Sequence, residues 1–312
     1  MELIDYYQPE FVAGFTFDRC ACPACQNAPA GWPGVSVALG NQVRESLDLA
    51  CEAAASAILL NPEAFNLHTV RGEPAGEETL SAWDEMLNQQ CINLAVHPSM
   101  PVHLSLYAIG VLLSKAQRYR ENDQQDPMLL LAMGEQLALL AQENILAGQQ
   151  AELPPIMQNR ASALKAMGSL RLNLDLPMVE KMSVMLRLSE LAIMTPERLQ
   201  ERLIELEDSW NKLAIFEQQP EILRNFLLYP LYHQVFPGVN CENYGEAFLR
   251  LAVRYFRLRM LCAVSVDEEG QITAERAVKL ISALTAWEQQ HPLDTDEAQT
   301  ADYSLLCGLS LL

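Results

Sequence analysis

Cys20-Ala-Cys-Pro-Ala-Cys25 puts three thiols within six residues of irregular chain. Closely spaced thiolates are the soft ligands that zinc and iron-sulfur clusters prefer, and a loop can fold three sulfurs to one point where a helix could not. No fourth ligand stands nearby in sequence. Cys51, in the first turns of the helical sequence that follows, is the remote candidate, and Cys20, Cys22, Cys25 and Cys51 together would suit a tetrahedral zinc or a four-iron cluster. The spacing is neither that of a zinc ribbon, with two Cys-x-x-Cys halves, nor the Cys-x-x-x-Cys-x-x-Cys of common radical enzymes. Cys91, Cys262 and Cys307 stand singly on apolar helical faces and read as small core residues.

Other chemistries find little support. Of the five histidines, His68, His97, His103, His233 and His291, only His97 and His103 approach ligand-like spacing, and they straddle a proline; most of the five read as surface or capping residues. No Gly-rich turn follows a strand, which excludes a dinucleotide or Walker-type phosphate site and a doubly wound methyltransferase domain with it. No Gly-x-Ser-x-Gly elbow occurs. A formal charge of -19, from 40 acidic against 21 basic residues, repels phosphate backbones and anionic membranes, so nucleic acid and membrane are not expected partners. The same charge suits a basic or lysine-bearing protein. The opening residues lack the basic and apolar regions of an export signal, and a cytoplasmic protein with reduced thiols is expected.

The elements that must position the cysteines fall into two parts. Residues 1–40 carry four prolines and four glycines without helical periodicity and read as an irregular cysteine-bearing module, with a short strand at Val35–Leu39. Residues 41–312 read as a helical domain, divisible into packed halves at 41–150 and 151–312. A first helix is expected from Asn41, with Val43, Leu47, Ala50, Ala54, Ile58 and Leu59 on one face, ending at Asn61-Pro62. Asp126-Pro127 and Thr195-Pro196 each place an N-cap before proline at the first helical position. Leu199, Leu203, Leu206, Trp210 and Leu213 line one face of the helix from Pro196. An antiparallel pair is expected over Pro154–Met194, with Ala161, Leu164, Met167 and Leu170 facing Val179, Met182, Met185 and Leu186 as a methionine-rich core face. The fold class is thus all-α, an irregular multi-helix bundle with a short non-helical N-terminal module.

Tyr7, Pro9-Glu-Phe-Val12, Phe15 and Phe17, then the cysteine cluster, then Gly31-Trp32 with Val35 and Val37, form a series that is similar to the opening of one family, the flagellin lysine-N-methylases. The segment Ser46–Glu63 resembles its Ser-Cys-Pro-Glu-Ala-Ala-Arg stretch, with Cys51 on the family cysteine and Glu52 in place of the proline. Leu106–Lys115, Glu221–Tyr232, Val235-Phe-Pro237 and Trp287-Glu-x-x-His291 resemble later parts in the right order. The chain departs from the family at Ala28-Pro29, where members usually carry Cys-Cys. It also lacks a cysteine-bearing stretch between Gly31-Trp32 and the Cys51 segment.

The resemblance implies a protein-lysine N-methyltransferase acting on flagellin or a similar protein, using S-adenosylmethionine and a cysteine-ligated metal centre, an iron-sulfur cluster or zinc. A lysine must be neutral to attack a methyl group, so a nearby carboxylate or tyrosine should accept its proton; Glu52, beside Cys51, is one candidate, and the catalytic residues are otherwise unassigned. The alternative is an acidic helical scaffold that keeps the fold and holds a protein partner without modifying it.

Overall fold

The computed structural model describes residues 3–16, 20–26, 28–154, 156–293 and 299–312. Phe17, the last aromatic of the opening motif, lies outside them. Four strands, β1 (Ile4–Pro9), β2 (Gly34–Ala38), β3 (Gln42–Leu47) and β4 (Leu67–Gly72), form one sheet in the order β2-β3-β1-β4. β1 runs parallel to β3, with Tyr6 opposite Val43, and antiparallel to β4, with Tyr6 opposite Val70. β2 and β3 make an antiparallel hairpin that sets Gly34 against Leu47.

This sheet corrects the all-α expectation. The short strand at Val35–Leu39 is present, one residue earlier, but the helix expected from Asn41 does not begin there. Residues 42–47 are an inner strand of the sheet, and the helix runs only from Glu52 to Leu59. The misreading has a geometric cause: residues four apart share a face both in a helix and in a strand, so Val43 and Leu47 satisfy either period. Buried Arg44 decides for the strand. Its guanidinium donates to Gln42 Oε1, Asn88 Oδ1 and the Tyr232 carbonyl, which anchors β3 to the helical body.

The helices are α1 (Glu10–Ala13), α2 (Glu52–Leu59), α3 (Ala82–Val96), α4 (Val102–Glu121), α5 (Pro127–Gln142), α6 (Ile145–Ala151) and α7 (Met157–Ala166), followed by α8 (Met178–Leu191), α9 (Pro196–Asn211), α10 (Ile215–Gln218), α11 (Glu221–His233), α12 (Tyr244–Val264), α13 (Ala274–Gln290) and α14 (Ala301–Leu309). Among the described residues no helix is long and apolar enough to cross a membrane. The Asp126 and Thr195 caps form as expected, accepting from the amides of Met128 and Arg198.

Two apolar cores share a spine. One joins Phe11, Leu47, Cys51 and Ile58 to Leu164, Leu203, Phe226 and Phe256, and the other joins Leu87, Cys91 and Ile109 to Leu228 and Phe248. α11 and α12 therefore serve both, because each is apolar around most of its circumference. Each large side chain so buried contributes about 1.5–3 kcal/mol. Gly110 explains part of the Leu106–Lys115 motif: a Cβ there would come within 2.8 Å of the Phe248 ring, so only glycine lets α4 approach α12 this closely.

The pair over 154–194 is present with a different inward face. Ala161, Leu164, Met167 and Leu170 are buried as expected, but α8 turns Val184, Leu188 and Leu191 inward. Val179, Met182 and Leu186, expected in the core, are 81%, 56% and 61% exposed. α8 offers two apolar stripes, and nothing local chooses between them. Cys91 and Cys262 are fully buried core residues, whereas Cys307 is only half-buried.

Candidate metal centre and adjoining cleft

The cysteine loop is shaped by its proline. Cys22 caps a single 3-10 turn over Pro23–Cys25, with proline at the first position and the Cys25 amide donating to the Cys22 carbonyl at 3.0 Å. Cys51 arrives from the other side. β3 ends at Leu47, and the following turn is held by the Asp48 amide on the Pro33 carbonyl (2.7 Å) and the Cys51 amide on the Asp48 carbonyl (3.1 Å). Cys51 then stands at the N-cap of α2.

The two arms bring together all four cysteines singled out from sequence. Their Sγ atoms lie within 4.8 Å of one another, with Cys22–Cys25 and Cys25–Cys51 both at 3.5 Å. A tetrahedral ion with metal–sulfur bonds of ~2.3 Å would hold such sulfurs ~3.8 Å apart, so the group fits a single ion almost as it stands. A four-iron cluster would spread it. Cys22 and Cys51 are buried, Cys20 and Cys25 half-buried, and the packing around them is apolar.

The surroundings act on these thiols in two opposing ways that the sequence did not disclose. The first turn of a helix has amides without intrahelical partners, and here those of Glu52, Ala53 and Ala54 in α2 donate to the sulfurs of Cys22, Cys20 and Cys51. The Trp32 indole N–H donates to Cys25 Sγ at 3.3 Å, which gives the Gly-Trp motif a chemical role. Burial pushes Cys22 up to about 12 and Cys25 and Cys51 to about 11 each. At Cys20 burial is outweighed: the amides of Cys22 and Ala53 and the thiols of Cys22 and Cys51 donate to it and bring it below the ordinary thiol value.

Glu52 points beside this cluster into a small hollow of about 150 Å³ shared with Pro23, Ala24, Arg171 and Trp287. Burial first, then the Asp175 carboxylate, raises its pKa, while Lys279 opposes the rise. His291 also lines the hollow, stacked on Trp287 at 4.6 Å and 9°. It lies equally on a much larger cleft of about 690 Å³ among α11, α12 and α13. That cleft holds His233, which sequence reasoning placed among surface and capping residues. His233 is half-buried, stacked on Tyr229 with ring centres 5.2 Å apart, and its Nδ1 has no hydrogen-bond partner. Arg250, Arg254 and Arg257, on one face of α12, line the same space with Glu242, Glu246 and Glu288.

The fold and site thus define a helical protein with a small mixed sheet, a convergent four-cysteine group and a separate polar cleft. Residues 88–300 match the family of the FliB lysine N-methylase C-terminal domain, more than half of the chain, and the chain belongs to that family. The match covers the helices that form the cleft and begins after the four clustered cysteines. Two relatives called lysine-N-methylase, from Salmonella typhimurium and Salmonella choleraesuis, are each 26% identical over 257 residues. The alignment takes in 77% of this chain and 62% of each relative, so the chain spans under two thirds of their length. No solved structure matches.

Proposed function

We propose that the chain acts as a protein-lysine N-methylase on flagellin or a similar lysine-bearing protein, with S-adenosylmethionine as methyl donor and Cys20, Cys22, Cys25 and Cys51 as ligands of a metal centre. The observation that carries the reading is the convergence of four thiols from two separate segments in a chain whose helical body belongs to a lysine N-methylase family. S-adenosylmethionine supplies an electrophilic methyl group; the metal would be held by four sulfurs and braced by the Trp32 indole and the α2 amides.

Four protein ligands saturate a tetrahedral ion, and a saturated site orders structure more readily than it binds substrate. The metal's part is therefore to fasten the N-terminal loop to α2. Proton removal from the incoming lysine falls to groups that burial has made less acidic or less basic than usual, Glu52 in the hollow and His233 in the cleft. The acidic surface draws the lysine-bearing partner. A cytoplasmic site of action accords with free thiols.

The test is anaerobic purification with metal and sulfide analysis, followed by transfer of labelled methyl from S-adenosylmethionine to flagellin. Stoichiometric metal with label on lysine supports the reading. Metal-free protein that binds flagellin without labelling it supports the scaffold alternative.

A further inference from the structure

The cleft among α11, α12 and α13 has the size of a small-molecule site, about 690 Å³ against the ~300–1,000 Å³ of such pockets. Its charges are arranged rather than scattered. Arg250, Arg254 and Arg257 fall at i, i+4 and i+7 of α12, which sets their guanidinium groups along one wall. Each has an acidic neighbour. Arg250 pairs with Glu246, Arg257 bonds to Glu288 at 3.0 Å, and Arg254 Nε stands 3.5 Å from the same Glu288 carboxylate, an ion pair without a hydrogen bond.

Three cations against Glu242, Glu246 and Glu288 leave the wall close to neutral. Such a surface poorly matches a multiply charged phosphate, which calls for an excess of positive charge and would also meet the repulsion of a chain at -19. It matches a ligand that carries both signs, with a carboxylate toward the arginines and an ammonium toward the glutamates. One buried polar atom without a hydrogen-bond partner, His233 Nδ1, belongs to a residue that lines the space, as expected where a ligand completes the bonding, whereas Arg254 Nε already faces Glu288.

We propose that this cleft binds the amino-acid end of S-adenosylmethionine, with Arg250 and Arg254 on the carboxylate and Glu246 on the ammonium. The assignment rests on the methylase reading for the identity of the ligand, and on the cleft for its location. S-adenosylmethionine has one net positive charge and its demethylated product has none, so the acidic field favours donor over product. The cysteine cluster is no part of the binding site. It is joined to the cleft through α13, whose Gln289 lines the cleft and bonds to Asp48 in the turn before Cys51.

Titration calorimetry on the full chain tests this, with S-adenosylmethionine, S-adenosylhomocysteine and ATP as probes and circular dichroism melts to verify folding. Arg250 and Glu246 are solvent-accessible enough for R250Q and E246Q to fold. Each is expected to weaken S-adenosylmethionine binding on the order of tenfold or more, the loss of a charged hydrogen bond, while ATP neither binds nor competes. Unchanged affinity in both folded variants, with methyl transfer intact, would overturn the site and leave the methylase reading standing. Binding that the variants abolish, in a protein that transfers no methyl group, would uphold the site and overturn the methylase reading. Binding of ATP with equal affinity, lost in R250Q, would replace the zwitterion by a phosphate ligand.

Discussion

The Gln289 amide lies 3.0 Å from both carboxylate oxygens of Asp48, and this contact joins the cysteine site to the cleft across 241 residues of chain. One Asp48 oxygen also accepts from the Ala50 amide at 2.8 Å, shaping the turn that delivers Cys51 to its sulfur partners.

Q289L removes the side-chain donor from a carboxylate that is only 8% exposed. A buried acceptor left without its partner costs about 1–3 kcal/mol, and a loss of that size is expected in urea denaturation. Because the Ala50 bond survives, metal content should stay at the wild-type level; a variant as stable as wild type would show that Asp48 finds another donor.

Cys51 has no exposed surface and meets Cys25 at 3.5 Å, so C51S should lose the metal while C91S, altered in the other core, keeps it. Elemental analysis reads both. Equal metal in C51S and wild type would exclude Cys51 as a ligand, and four irons with sulfide would mean that the loop opens beyond the 4.8 Å span.

W32F keeps an aromatic ring on the core but deletes the N–H donated to Cys25 Sγ at 3.3 Å. Groups bonded to metal ligands are commonly worth 10–100-fold in affinity, and a weakening of about tenfold is expected in competition with a chelator. An unchanged affinity would assign Trp32 to packing alone.

Burial lowers the His233 pKa from its ordinary 6.5; Asp48 opposes that shift and Arg254 adds to it. An unfolded chain therefore takes up a proton near pH 6.5 that the native imidazole refuses. Stability is complete above that pH and falls as the pH drops from 6.5 toward the folded value, by at most ~1.4 kcal/mol per pH unit. H233F, which preserves the stack on Tyr229, should flatten this part of the profile in urea midpoints measured between pH 7.5 and 5.5. A slope identical to wild type would place the acid sensitivity elsewhere.

Much of the candidate metal site was legible in the residue string because thiol chemistry is local: Cys20, Cys22 and Cys25 are neighbours by spacing, and Cys51 is the next cysteine along. Caps at Asp126 and Thr195 and the leucine face of α9 were legible for the same reason, since each depends on residues within one or two turns.

What tertiary structure alone decided is long-range. The pairing of β1 with β3 and β4 joins residues up to 68 apart in sequence, and the spacing of Val43 and Leu47 fits strand and helix equally. The buried stripe of α8 was chosen by its neighbours, because Met182 and Leu186 are as apolar as Val184 and Leu188. The cleft comes from three helices meeting, and nothing in the neighbourhood of His233 or Arg250 in sequence announces it. Even at the cysteines, amides of α2 bond to sulfur only because the fold sets a helix start beneath them. Which thiols could act together is a property of composition and spacing, whereas the environment that tunes them depends on surfaces brought together by packing.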